Sequence, residues 1–137
     1  MESLSRAISL AVNVHAGQYD KAGFPYIAHP FRVMQYLHYK AHEEILLVAA
    51  MLHDTVEDTN VTLKQIEELF GKDVAYLVDA VTRRDETYME FIARIKEAGP
   101  EAITLKLADI EDNMDPRRPR IDHLAERYIK ARELLLS

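Results

Sequence analysis

The chain has 137 residues, 48% of them hydrophobic and 29% charged, with a net charge of −6; this suits one domain spanning 1–137 with its own core and leaves little room for a second. The acidic balance argues against a nucleic-acid or anionic-membrane surface, but not against a small phosphorylated ligand, because a bound metal supplies positive charge locally. There is no cysteine, which excludes disulfides, thiolate nucleophiles and Cys-ligated zinc or iron–sulfur centres.

Residues 1–6 show no basic region leading into a long apolar run, so no signal peptide is expected. Leu4, Ala7, Ile8, Ala11 and Val12 recur at helical spacing and predict a helix over about 4–16. Gly17 and Gly23-Phe-Pro25 mark a loop. Pro30 suits the first turn of the next helix, with Phe31, Val33, Met34 and Leu37 on its apolar side. Ile45 to Leu52 is apolar on every side, which predicts a helix buried in the middle of a bundle. As the longest apolar stretch it is still far too short to span a bilayer, so a soluble, cytoplasmic protein is expected.

Thr62-Leu-Lys-Gln65 has the form of a capping box, with Gly71 as a stop. A further helix is predicted over about 73–81. Thr87-Tyr-Met-Glu90 is a second capping box, and Gly99-Pro100 ends the helix it starts. Ile103, Leu107, Ile110 and Met114 set the apolar stripe of the next helix. Pro116-Arg-Arg-Pro119 reads as a rigid connector before a last helix over about 122–135. No segment alternates with period two, as a half-buried strand would. The expectation is an all-α domain, a bundle of seven or eight helices.

The central apolar helix runs into His53-Asp-Thr-Val-Glu-Asp58. Ionisable groups at the end of a buried helix are costly unless paired or bound to metal, and His and carboxylates ligate divalent ions such as Mn, Zn or Fe. A His-Asp pair alone is weak, since this composition yields about 0.4 of them by chance; the Glu57-Asp58 pair that follows makes the motif far rarer. Read instead as a solvated helix C-terminus, the acids would oppose the helix dipole. Lys106, Asp109 and Asn113 share one helix face, so Asp109 and Asn113 point into one site or line a polar surface. His29 stands before Pro30 at a helix start, where a turn or capping role is the plain reading. His15 lies on the apolar stripe of the first helix, as a core histidine or as one that serves the site. His38, His42 and His123 read as surface.

The order His29, His53-Asp54, Asp109 resembles the HD superfamily of metal-dependent phosphohydrolases. The resemblance is closer to the hydrolase domain of RelA/SpoT proteins and to small stand-alone alarmone hydrolases. It runs over His15-Ala-Gly-Gln18, Gly23-Phe-Pro-Tyr-Ile-Ala-His-Pro30, His53 to Thr59, Phe70-Gly71, Val81-Thr82 and Lys106-Leu-Ala-Asp109 with Asn113. It implies an all-α fold and a divalent metal, manganese in that family, on His29, His53, Asp54 and Asp109. It implies that Glu57 and Asp58 activate or orient the attacking water and that Asn113 contacts the sugar or a phosphate. Lys21, Tyr26 and His15 are the other candidate substrate contacts. The implied reaction removes the 3′-pyrophosphate of ppGpp or pppGpp. A metal that lowers the pKa of water, with a carboxylate as general base, needs no protein nucleophile, and the sequence offers none.

Two positions depart from that pattern. Asp20-Lys21 stands where an Arg-Lys pair is usual, and Ile110-Glu-Asp112 where Arg-Leu-His often follows the Leu-Ala-Asp. Both changes are expected to disfavour a highly anionic nucleotide by charge repulsion. Lys21, Arg83 and Arg84 are the remaining basic candidates for phosphate, although for the two arginines a solvated loop is the favoured reading. Four readings stay open: a ppGpp hydrolase, a hydrolase of another nucleotide or phosphorylated metabolite, a nucleotide-binding module without turnover, and a purely helical interaction protein without metal. The sequence leaves the oligomeric state open.

Overall fold

The structure is a computed structural model that describes residues 1–118 and 122–137, with the side chains of Asp122 and His123 outside the description. Pro119, the end of the predicted connector, and the surface assignment of the His123 side chain therefore lie outside the described residues. The described residues form nine helices and no strand: α1 Glu2–Val14, α2 Ala28–Tyr39, α3 Glu44–Leu52, α4 Thr55–Asp58, α5 Leu63–Phe70, α6 Lys72–Ala80, α7 Tyr88–Ala98, α8 Pro100–Asn113 and α9 Asp122–Leu136. Eight are full helices and α4 is a single turn, as the all-α expectation of seven or eight requires.

Helix α3 is the hub. Leu46 to Leu52 are seven consecutive buried residues, and the helix packs against α1, α2, α6 and α8. Beyond its first two residues no face of α3 remains for water, which is why its sequence carries no polar stripe. Each fully buried Leu there contributes about 1.5–3 kcal/mol of transfer free energy. The expected burial fails at three positions: Ile45 (40% exposed) at the start of α3, Val12 (48%) and Phe31 (37%) face solvent. Each sits at a helix end or on the rim of an apolar stripe, where neighbouring helices no longer cover it.

Both capping boxes form. Gln65 N–H donates to Thr62 Oγ1 (3.1 Å) and Thr62 N–H to Gln65 Oε1 (2.9 Å); Glu90 and Thr87 repeat the exchange at α7. Gly71 (φ 95°) ends α5 and opens α6, and Gly99 (φ 113°) does the same between α7 and α8, left-handed conformations that glycine adopts without steric penalty. These turns send α8 back through the bundle beside α2 and α3. No helix among the described residues is long and apolar enough to cross a membrane.

Candidate functional site

The site begins where α3 must stop. Its last carbonyls would be orphaned in the core, and side chains of the next residues take them up. Thr55 Oγ1 donates to Leu52 O at 2.8 Å and His53 Nδ1 to Ala50 O at 2.6 Å. A carbonyl only accepts, so Nδ1 carries the proton. The Nε2 of His53 is left as a lone pair, buried and without a hydrogen-bond partner. It faces Asp54 Oδ2 (3.0 Å) and Asp109 Oδ1 (3.3 Å) at ion-pair distance but misaligned for a hydrogen bond.

His29 arrives from the first turn of α2 in the same state. Its Nδ1 lies 2.6 Å from Asp112 Oδ2, and its Nε2 lies 2.8 Å from Asp109 Oδ1 and 3.7 Å from Asp54 Oδ2. Donor atoms of His29, His53 and Asp109, all three residues buried, lie within 4.8 Å of one another and can hold a metal ion; Asp54 adds an oxygen at the same point. The chemistry of this donor set fits a divalent cation. Two imidazoles whose other nitrogen already donates a proton, and two carboxylates, turn lone pairs toward one another, an arrangement that only a positive charge stabilises.

The electrostatics agree. Burial disfavours charge on His53, yet the Asp54 and Asp109 carboxylates outweigh it and raise its pKa well above the ordinary value. Burial likewise opposes, and hydrogen bonds to Asp109 and Asp112 overcome, the protonation of His29, whose pKa is also raised. Asp109 is held well below the usual carboxylate range against its burial, chiefly by Lys106, whose Nζ donates to it at 2.8 Å. Asp54 is lowered too, its burial outweighed by His53.

Glu57 and Asp58 stand exposed at the mouth of this centre, on α4. Glu57 Oε1 accepts the backbone N–H of Arg83 at 2.9 Å. The Asp58 carboxyl is pushed up to about 6 by partial burial and by the Asp54 and Glu57 charges. A cavity of about 240 Å³ opens here, lined among others by Tyr26, His29, Asp54, Glu57, Asp58, Asp109 and Asn113. Tyr26 donates its hydroxyl to Asp54 Oδ2. Asn113 Nδ2 donates to Asp109 Oδ1 at 3.3 Å. Tyr26 and Asn113 also line an adjoining cavity of about 250 Å³ with Tyr19, Asp20, Lys21, Arg118 and Tyr128. Of the predicted substrate contacts, His15 does not line either cavity. It is buried, bonded through Nδ1 to Gln18 Oε1 (2.8 Å) and packed on the Tyr26 ring at 5.2 Å.

Two expectations change. Asp112 does not confront a ligand: it is turned inward onto His29 and carries Arg32 (2.7 and 3.1 Å) and Arg118 (3.1 Å) on the same carboxylate. Its charge is spent on orienting a candidate ligand, so charge repulsion of a nucleotide does not follow from it. Asp20 does line the second cavity, but its Oδ1 accepts the backbone N–H groups of Ala22 (2.9 Å) and Phe24 (3.0 Å) and closes the loop. Likewise Lys106 and Asp109 are buried rather than polar surface. Arg84 pairs with Asp79 on the surface and is absent from both cavity linings, whereas Arg83 reaches the first. Arg32, Tyr88, Arg127 and Tyr128 around the site were not singled out from sequence. Arg127 sits in an ordinary charged helical pattern, and no local signal marks it.

Comparison with known proteins places this geometry. The family model described as HD domain matches residues 7–109. The guanosine-3′,5′-bis(diphosphate) 3′-pyrophosphohydrolase of Aquifex aeolicus is 38% identical over 82% of the chain and 17% of its own length. The GTP pyrophosphokinase of Myxococcus xanthus is 34% identical over 92% of the chain and 18% of its own length. The chain thus spans less than a fifth of these curated relatives. The solved structure of a metazoan ortholog of SpoT, described as hydrolysing ppGpp, superposes with a TM-score of 0.82 at 28% identity, over 98% of this chain and 84% of that one. By its match over three quarters of its length and by the fold around His29, His53 and Asp109, this chain belongs to the HD domain family.

Proposed function

We propose that the chain is a metal-dependent phosphohydrolase that removes the 3′-pyrophosphate of ppGpp, with His29, His53, Asp54 and Asp109 as ligands of a divalent ion, manganese by resemblance. The observation that carries this reading is the convergence of His29, His53 and Asp109 donor atoms within 4.8 Å at the floor of a cavity rimmed by Glu57 and Asp58. When bound, a divalent ion lowers the pKa of water and neutralises phosphate charge. The protein's own groups do the rest. Asp112 and the Ala50 carbonyl fix the tautomers of His29 and His53. Asp58, with its carboxyl near 6, is suited to take a proton from the attacking water at neutral pH. Glu57, fixed by the Arg83 amide, orients that water beside it. Water adds to the phosphorus next to the 3′ oxygen, the 3′ O–P bond breaks, the 3′ oxygen gains a proton, and GDP and pyrophosphate leave. Tyr26 and Asn113, shared by both cavities, stand where the sugar joins the two halves of the substrate, with Lys21 on the nucleoside side and His15 supporting Tyr26 from behind.

The names of the relatives support this substrate for the family. A second reading keeps the metal centre and changes the nucleotide: Asp20 beside Lys21 in the adjoining cavity cancels one positive charge there. The test is turnover by manganese-loaded protein of ppGpp, pppGpp and a nucleotide panel, with elemental analysis of the same sample. GDP and pyrophosphate from ppGpp are expected. Intact ppGpp beside a consumed second nucleotide moves the assignment to that nucleotide, and bound metal without any turnover makes the chain a binding module.

A further inference from the structure

The cavity over the candidate metal centre has two unlike walls. The acids Asp54, Glu57, Asp58 and Asp109 make up one, and Arg83, Tyr88, Lys106 and Arg127 the other, by character rather than by position, since Lys106 bonds Asp109 and the Arg83 amide bonds Glu57. The acidic wall is accounted for by the metal and the water. The basic wall is not. Lys106 is engaged with Asp109 at 2.8 Å, so it supplies positive potential rather than a free donor. Arg127 is different. Its guanidinium carbon lies 3.8 Å from the centroid of the Tyr88 ring, which holds the planar group in place. Its Nε is buried without a hydrogen-bond partner among the described residues, and so is the Tyr88 hydroxyl. The Arg83 guanidinium carbon sits 5.7 Å from the same ring centroid, and its own backbone amide holds Glu57.

Buried polar atoms in folded proteins nearly always have partners. Two unsatisfied buried donors, one of them on a guanidinium, belong to residues that line one cavity beside a centre built for a divalent ion, and together they call for an anion with several acceptor oxygens. A phosphoryl group meets this requirement, because an arginine can bond two of its oxygens at once. We propose that Arg127 and the Tyr88 hydroxyl form a phosphoryl-binding site, which grips the pyrophosphoryl end of the substrate while the acidic wall holds metal and water. The proposal rests on the hydrolase reading for the identity of the metal side, but not for the existence of the anion site.

The experiment uses the full chain and inorganic pyrophosphate as probe, titrated calorimetrically into metal-free protein, with manganese affinity measured separately. Arg127→Ala is expected to weaken pyrophosphate binding by about tenfold or more, the weight of one charge-assisted hydrogen bond, with manganese affinity unchanged. Arg127→Lys keeps the charge but not the fork and is expected to recover only part of the loss; Tyr88→Phe removes one donor and keeps the ring. With ppGpp, Arg127→Ala is expected to raise KM more than it lowers kcat. Pyrophosphate binding within twofold of wild type in both Arg127 variants overturns the site, as does a loss of manganese affinity equal to the loss of pyrophosphate. If ppGpp is not hydrolysed while Arg127→Ala still loses pyrophosphate, the anion site stands and the ppGpp assignment falls. If ppGpp is hydrolysed equally well without Arg127, the assignment stands and the anion site falls.

Discussion

Asp112 accepts the Nδ1 proton of His29 at 2.6 Å while Arg32 and Arg118 bond the same carboxylate. The pair joins α8 to α2 and fixes the imidazole so that Nε2 points at Asp109. A carboxylate behind a ligating histidine raises its basicity and holds its orientation. Asp112→Asn keeps the shape and removes the charge. We expect manganese affinity to fall by about 10–100-fold, as for other groups that support a ligand, measured by competition with a chelator. An unchanged affinity would show that α2 alone orients His29.

Glu57 and Asp58 touch neither imidazole in the hydrogen-bond network, so their roles separate from metal binding. Glu57→Gln and Asp58→Asn are expected to retain the metal and to lose about 10²–10⁴ in kcat, the usual weight of general-base catalysis. Steady-state rates and metal content on the same preparations decide it. A wild-type kcat in the Asp58→Asn variant would remove Asp58 from the mechanism.

The stability gained from the metal should depend on pH. His29 and His53 have folded pKa values above their ordinary 6.5. Their protonation therefore stabilises the metal-free fold fully below pH 6.5, and that contribution is lost as pH rises through the raised values. Asp58, at about 6 against an ordinary 3.8, has the same sign: its contribution fades between those two values. The lowered Asp54, Asp109 and Asp112 contribute above pH 3.8 and stay constant across the neutral range. Metal binding needs neutral imidazoles. The rise in Tm on adding manganese should therefore be larger at pH 8 than at pH 6. Equal increments in thermal melts at the two pH values would contradict this account.

Leu47 is fully buried in α3. Leu47→Ala should destabilise the fold by about 2–5 kcal/mol, as a transfer loss plus a cavity, read from urea unfolding. A loss below about 1 kcal/mol would mean that the helices around α3 close the gap.

What was legible in the sequence was local. The all-apolar stretch 45–52 announced a central helix, and Thr62, Gln65, Thr87 and Glu90 announced two helix starts by their spacing. Helix α8 was harder. Its stripe of Ile103, Leu107, Ile110 and Met114 suggested one buried face, whereas Ile103, Leu107 and Met114 are only partly buried and Lys106, Asp109 and Asp112 are buried. The helix is packed by α2, α3, α6, α7 and α9, so even its polar face is enclosed, and the enclosure works because His29 and Arg32 come from about 80 residues away. Periodicity reports on which face is apolar, not on which charges will meet a partner. Asp20 and Asp112 looked like substrate-facing acids for the same reason: the groups that occupy them, backbone amides in one case and His29 with two arginines in the other, are visible only in three dimensions.

His29 and Asp109 are 80 residues apart in sequence, and His53 with Asp54 falls between them. An ion held by all of them would join the start of α2, the end of α3 and the middle of α8 in a single knot. In a chain without cysteine, that knot is the counterpart of a disulfide. Closing a loop of about 80 residues in the unfolded ensemble corresponds to about 4–5 kcal/mol in the chain-entropy description of cross-links. A centre placed for chemistry would then also act as a fastening of this fold that can be tied or undone by the supply of metal.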